Sequence, residues 1–253
     1  MPQAVQLDQY GGLDVLVVRA VALAPPRPGE VVVAVKAAGI NPGEAAIRQG
    51  FLHHGVPATF PSGEGSDLAG VVSAVGEGVS WRIGDEVLGW SWRRSSHAEL
   101  CVVPADQLIA KPAGLSWEVA GSLYVVGVTA YAAVRAVAAG PGDTVVVSAA
   151  AGGVGVVTVQ LLRAWGADVI ALASEANHDW LRSKGAVPVE YGEGLAGRLR
   201  AAAPHGGGFE PGPFRRRTRV GRQGASSRPR AANRSGGRIG PVRPPRQSAG
   251  RWL

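Results

Sequence analysis

A chain of 253 residues, 46% apolar and with 37 glycines, is long enough for one large or two ordinary cores and is rich in turns. Its single cysteine, Cys101, excludes an internal disulfide and a multi-cysteine zinc site, and burial as a small hydrophobe is the plain reading of it. With no wholly apolar run of about 18 residues and no basic-then-apolar leader, the expectation is a soluble cytoplasmic protein without a membrane partner. The net charge of +7 is uneven: residues 1–205 carry 14 Lys and Arg against 18 Asp and Glu, residues 206–253 carry 12 Arg against Glu210 alone, and these balances of −4 and +11 make up the whole.

In chain order, residues 1–36 alternate apolar runs (Ala4–Leu7, Val15–Val18, Glu30–Lys36) with Gly11-Gly12 and Pro25-Pro26-Arg27-Pro28-Gly29. Similar runs follow at Leu68–Val75, Glu86–Gly89 and Ala98–Val103, separated by turn residues such as Gly76-Glu77-Gly78. This spacing predicts an antiparallel, partly barrel-like β-rich domain over 1–115. From Ser116 the period becomes helical, over Trp117–Val126 and Thr129–Ala138. Strands are then expected at Thr144–Val147, Asp168–Ser174 and Val187–Tyr191, alternating with helices near 154–166, 177–184 and 195–203. That alternation predicts a parallel sheet over 116–204.

The first of these strands ends in small residues and passes through Gly152, Gly153 and Gly155 into an apolar helical stretch. A strand, a tight glycine turn and a helix N-terminus let the backbone approach a pyrophosphate and face it with unpaired N–H groups. A lone glycine motif is weak evidence. Here it stands in order with Ala37-Ala-Gly-Ile-Asn-Pro42, Gly65-Ser-Asp-Leu-Ala-Gly-Val-Val72, Ile83-Gly-Asp-Glu-Val87, Ser96-His-Ala-Glu99, Lys111-Pro112 and Gly127-Val-Thr-Ala-Tyr131.

With these blocks the chain, over residues 1 to about 204, resembles the medium-chain dehydrogenase/reductase superfamily, in its zinc-independent, zeta-crystallin-like quinone-oxidoreductase branch. The resemblance implies an α/β fold: a GroES-like β-rich substrate domain over 1–115 and a Rossmann doubly wound parallel sheet, incomplete here, over 116–204. It implies an NADPH-dependent enzyme that passes hydride to a quinone or an α,β-unsaturated carbonyl, with that activity expected to be impaired in this chain by the loss of the later strands. A non-catalytic nucleotide-binding or structural protein is the alternative. In zinc-dependent relatives the metal positions match Asn41, Ser66 and about Val125 here, and an amide, a hydroxyl and an alkyl group do not make a zinc site. The adjacent His53 and His54 read as a solvated loop, so no metal ligand is assigned.

By the same resemblance the cofactor-binding residues are Asn41 and Thr129 on the nicotinamide side, Gly152, Gly153 and Val154 at the pyrophosphate, and Ser174, Asn177 and Tyr191 at the 2′-phosphate. Asn41-Pro42 as a turn and Thr129 as a helix-capping hydroxyl are the ordinary readings. No carboxylate ends the second strand, which favours NADPH over NADH, although Glu175 follows at once. The family's 2′-phosphate cation is missing unless Arg182 or Lys184 reaches back. Some members carry a tyrosine near Gly50-Phe51-Leu52; none is there in sequence, and the catalytic acid is unassigned.

Residues 205–253 break the pattern. The 12 Arg, 10 Gly and 6 Pro within 206–253, without Lys, cannot bury enough surface to offset the entropy of ordering, so a disordered basic tail is expected. Arginine without lysine, beginning abruptly in mid-domain, suits a reading-frame shift better than a nucleic-acid-binding module, though both stay open. With the later strands lost, the first strand is expected to be a bare edge and the family homodimer to be absent.

Overall fold

The computed structural model describes residues 1–55 and 57–203 and the backbone of Arg251 and Trp252. It divides into two compact units, Met1–Ala136 with Val156–Thr158, and Val137–Gly155 with Val159–Leu253.

The first unit holds β1 (Gln3–Leu7), β2 (Val17–Ala20), β3 (Glu30–Ala37), α1 (Pro42–Arg48), β4 (Ser62–Gly63), β5 (Asp67–Val75), β6 (Glu86–Trp90), β7 (Leu100–Pro104), β8 (Leu108–Ala110), α2 (Trp117–Gly121) and α3 (Tyr124–Val137), whose last residue lies just past the division. A five-stranded sheet runs β7-β3-β5-β6-β8 and a three-stranded one β2-β1-β4, every ladder antiparallel. Its core is the inward face of the larger sheet: Val31 and Val33, two apart on β3, meet Leu68, Val72, Val87, Cys101, Val103 and Leu108. Cys101 is buried as expected. Burial pushes its thiol pKa up, which disfavours the reactive thiolate.

Three local expectations change. Leu13–Val15 is a 3-10 turn, and the strand expected over Val15–Val18 starts at Val17. Asn41-Pro42 is more than a turn: Asn41 caps α1, Pro42 takes its first position, and the Glu44 carboxylate accepts from the Asn41 N–H at 2.9 Å. The helix expected over Trp117–Val126 breaks at Ser122, whose hydroxyl folds back on the Glu118 carbonyl at 2.9 Å. The helices α2 and most of α3 pack with the first unit, a later division than residue 116, because α2 lies on the sheet. Ala120 and Trp117 join Ala69 and Leu88, and a Cβ on Gly121 would stand 2.5 Å from the Ala37 carbonyl oxygen.

The second unit alternates strand and helix: β9 (Thr144–Val147), α4 (Gly153–Ala164), β10 (Asp168–Leu172), a 3-10 turn at Glu175–Asn177, α5 (His178–Ser183), β11 (Val187–Val189), α6 (Leu195–Ala202) and β12 (Arg251–Trp252). The sheet order is β11-β10-β9-β12, all parallel, with Val145 level with Val169 and Ile170 level with Val187. Val146, Ile170, Leu172 and Val189 bury one face against Leu199 of α6. The predicted strands and helices of this unit are all present: β9 has its expected bounds, α4 starts one residue early and ends two short, and the others are shortened at their ends. The expectation of a bare first strand is corrected: Arg251 and Trp252 pair with Val145 and Val146. The expected disorder of the tail, and nucleic-acid binding through it, lie outside the described residues.

Candidate functional site

In the second unit, β9 and β10 end side by side, and the turns that leave them form a cleft of about 310 Å³ lined by Ala149, Ala151, Gly152, Leu172, Ala173, Ser174, Asn177 and Tyr191. Four of the residues named from sequence therefore meet here: Gly152, Ser174, Asn177 and Tyr191. Gly153 and Val154 open α4 behind the wall. Ala149, Ala151, Leu172 and Ala173 were not singled out, because a small apolar residue after a strand carries no chemistry of its own.

The glycines divide the labour of the turn. A Cβ on Gly155 would stand 2.2 Å from the Ala149 carbonyl oxygen and 2.8 Å from the Ala150 backbone, so this glycine lets α4 pack onto its own turn. Gly152, the N-cap, has an extended φ of −81° that any residue adopts, and a Cβ there would lie 3.2 Å from the Ala149 oxygen. Its hydrogen keeps the wall of the cleft low. Ala149 itself sits at φ 52°, the left-handed region.

The Tyr191 hydroxyl accepts from the Ala149 N–H at 2.8 Å and donates to the Leu172 carbonyl at 2.9 Å, so it braces the cleft as well as lining it. The Asn177 side-chain amide donates to the Ser174 hydroxyl at 3.0 Å, so the hydroxyl accepts in this pair and keeps its own proton to donate. Arg182 and Lys184 do not reach back. Arg182 holds Asp179 at 2.6 Å, and the Lys184 ammonium lies over the Trp180 ring.

In the first unit, Asn41 is fixed by two buried carboxylates. Its side-chain N–H groups donate to Asp67 Oδ2 at 3.0 Å and Glu44 Oε1 at 3.2 Å, and only the NH₂ end of an amide can face two acceptors. The Ser66 N–H donates to Glu44 Oε1 and the Val125 N–H to Asp67 Oδ1, both at 2.8 Å. The three positions matched to metal ligands, Asn41, Ser66 and Val125, thus surround a carboxylate pair each of whose oxygens already accepts an N–H donor. Among the described residues, no group of three or more His, Cys, Asp or Glu side chains is placed to hold a metal ion.

Burial pushes the Asp67 carboxyl above the usual aspartate range, opposed by the Asn41 and Val125 donors and reinforced by Glu44. Asp67 and Glu44 were missed as site residues, although a lone acid opening the apolar strand β5 was a legible signal. Beside Asp67 across the β5/β6 ladder, Trp90 stacks on Tyr124, with centroids 5.4 Å apart and planes 8° from parallel.

Thr129 is exposed in the middle of α3, and its hydroxyl donates to the Val125 carbonyl at 2.6 Å; it is not a cap. No tyrosine lies near Gly50-Phe51-Leu52 in sequence, but Tyr10 folds onto this segment. Its hydroxyl accepts from the Ala58 N–H at 2.8 Å and lies 3.0 Å from His53 Nδ1. Either of the two groups can be the donor across that contact. His53 is exposed, as expected of a loop residue, yet held in orientation.

A parallel sheet with a glycine turn at its strand ends, in a chain that also folds an antiparallel β-rich unit, is the fold class of dinucleotide-binding dehydrogenases and reductases. The sequence matches the alcohol dehydrogenase GroES-like domain family over residues 27–160. It is 33% identical over 177 residues to the quinone oxidoreductase of Mus musculus, covering 68% of this chain and 52% of that enzyme. Among solved structures, the Escherichia coli quinone oxidoreductase complexed with NADPH superposes with a TM-score of 0.71 at 31% identity, covering 79% of this chain and 62% of that one. An NAD-dependent alcohol dehydrogenase superposes with a TM-score of 0.73 at 32% identity, over 79% and 66%. The chain belongs to the medium-chain dehydrogenase/reductase superfamily, in its quinone-oxidoreductase branch. It spans about half the length of the curated quinone oxidoreductases it matches.

Proposed function

We propose that this chain is a zinc-independent oxidoreductase that uses NADPH to pass hydride to a quinone or an α,β-unsaturated carbonyl. The observation that carries the reading is the cleft at the ends of β9 and β10, where Gly152, Ser174, Asn177 and Tyr191 converge. It fits the adenosine end of a dinucleotide: a low backbone wall at a helix N-terminus for the pyrophosphate, and hydroxyl and amide donors for the ribose. The reduced nicotinamide supplies the hydride when bound. Gly152, Gly153 and Val154 would hold the pyrophosphate and Ser174 and Asn177 the ribose substituent; Asn41 and Thr129, in the first unit, are the residues the resemblance gives for the nicotinamide. The chemistry of the donor set supports the absence of a zinc step. At the matched positions stand an amide, a serine and a valine, and the carboxylates between them already accept N–H donors.

No helix among the described residues is long and apolar enough to cross a membrane. We place the protein in the cytoplasm with a small-molecule partner. NADPH oxidation in the presence of 1,4-naphthoquinone or 2-cyclohexenone tests the activity. Turnover that survives chelator treatment supports the reading. NADPH binding without turnover on either acceptor would leave a nucleotide-binding protein in its place.

A further inference from the structure

A cavity of about 230 Å³ lies in the first unit, at the seam between its two sheets. The Ala4–Ala98 bridge, and the Val5 N–H donating to the His97 carbonyl at 2.9 Å, tie β1 to the chain that enters β7, the outer strand of the larger sheet. The cavity sits beside that tie, walled by β1, by the residues that follow β2 and by β7. Gly63 of β4 lets the loop before β7 close in, since a Cβ there would stand 2.5 Å from the Arg94 carbonyl oxygen.

The walls are mainly aliphatic, with Val5, Val21 and Leu100 among them, and the polar side chains on them are donors: Gln6, Arg93 and Ser95. Arg93 brings the charge. Its Nη2 donates to Glu30 at 2.8 Å, which engages one of the five N–H donors of the guanidinium. Burial raises the pKa of the Cys101 thiol on the same wall, and the Ser95 and Ser91 hydroxyls and the Arg93 charge oppose it, so the positive field reaches the cavity.

At ~30 Å³ for a group the size of a water molecule, this volume holds about eight non-hydrogen atoms. Water in a mainly aliphatic space finds few partners, which favours an apolar body that displaces it. Donors and a cation on the wall call for an acceptor head group, and a carboxylate matches the guanidinium fork.

We propose that this cavity binds a short-chain monocarboxylate of about six carbons, its carboxylate on Arg93 and its alkyl chain against the aliphatic walls. Every lining residue belongs to the first unit, so the inference does not depend on the nucleotide reading of the cleft in the second.

Calorimetric titration of the full chain with sodium hexanoate, and with 1-hexanol as its uncharged counterpart, tests the site. Hexanoate is expected to bind with a dissociation constant below about 1 mM and about tenfold more tightly than hexanol, by a margin that shrinks as salt rises. Arg93→Gln should remove that margin by weakening hexanoate about tenfold. Ala22 lines the cavity from an exposed stretch outside any strand, so Ala22→Trp should fold, fill the space and weaken both ligands about tenfold. Failure of hexanoate to bind the unsubstituted chain overturns the proposal. Hexanol binding as tightly as hexanoate also overturns it, leaving an apolar cavity without carboxylate recognition. Unchanged hexanoate affinity in either variant, with the fold checked by circular dichroism, places the anion elsewhere and overturns it too. If Arg93→Gln unfolds because Glu30, 8% exposed, loses its partner, Ala22→Trp decides the outcome.

Discussion

The hydroxyl of Tyr191 accepts a hydrogen bond from the backbone N–H of Ala149, at 2.8 Å, and passes its own proton to the Leu172 carbonyl at 2.9 Å. One side chain from beyond β11 thereby ties the turn after β9 to the end of β10. It does so at a residue held at φ 52°, a backbone state that costs a non-glycine residue about 1–2 kcal/mol.

Tyr191→Phe keeps the ring as a wall of the cleft and removes both bonds. Stability is expected to fall by about 1–2 kcal/mol in urea unfolding, and 5′-AMP affinity to fall with it as the turn loosens. Unchanged affinity would show that the turn holds its shape without the brace.

The two glycines of the turn separate fold from ligand. Gly155→Ala forces a methyl group against backbone at 2.2 Å, and a loss of about 2 kcal/mol or more is expected, with a lower thermal midpoint and no nucleotide binding. Gly152→Val finds an allowed φ of −81° and should fold. Its branched side chain fills the approach to the pyrophosphate, so titration with NADPH should show binding abolished. Retained binding would mean that the nucleotide lies elsewhere.

Asp67 should leave a signature in the pH dependence of stability. Its folded pKa is raised by burial above an unfolded value of about 3.9, so the folded chain holds the proton more tightly. The stability this gives is full below the unfolded pKa and is lost as pH rises through the folded one. Asp67→Asn should therefore flatten the decline in stability just above the ordinary aspartate range. It should also lower stability at all pH values, since an amide cannot accept from both Asn41 and Val125 through two oxygens. An unaltered slope in denaturant titrations across that window would place the buried proton elsewhere.

Arg48 and Glu64 form a buried ion pair, with 8% and 7% of their surfaces exposed, and among the described residues Arg48 Nε has no partner. Glu64→Gln leaves a buried guanidinium uncompensated and should cost about 3–5 kcal/mol. Replacing both, Arg48→Met with Glu64→Leu, should recover most of that loss. A double variant as unstable as the single one would show that the pair contributes more than charge compensation.

Several features were legible because they rest on local rules. The strand Thr144–Val147 is a β-branched run, and Cys101 falls in an alternating apolar pattern. The order of the sequence blocks carried the family. What escaped depended on distant partners. Tyr10 is an ordinary residue after β1 until the fold sets it on the Gly50 segment beside His53, and Glu44 and Asp67 are an acid in a helix and an acid in a strand until Asn41 lies between them. Arg182 and Lys184 were at a suitable distance in sequence, but Asp179 and Trp180 claim them.

The sequence by itself determined the two-part architecture, the glycine turn and the residue types at its cleft. These follow from side-chain period, backbone freedom and chemical type, which each residue carries with it. Tertiary structure alone decided which donors remain free, which carboxylates are buried and which charges are spent, because those properties belong to pairs of residues brought together from distant parts of the chain.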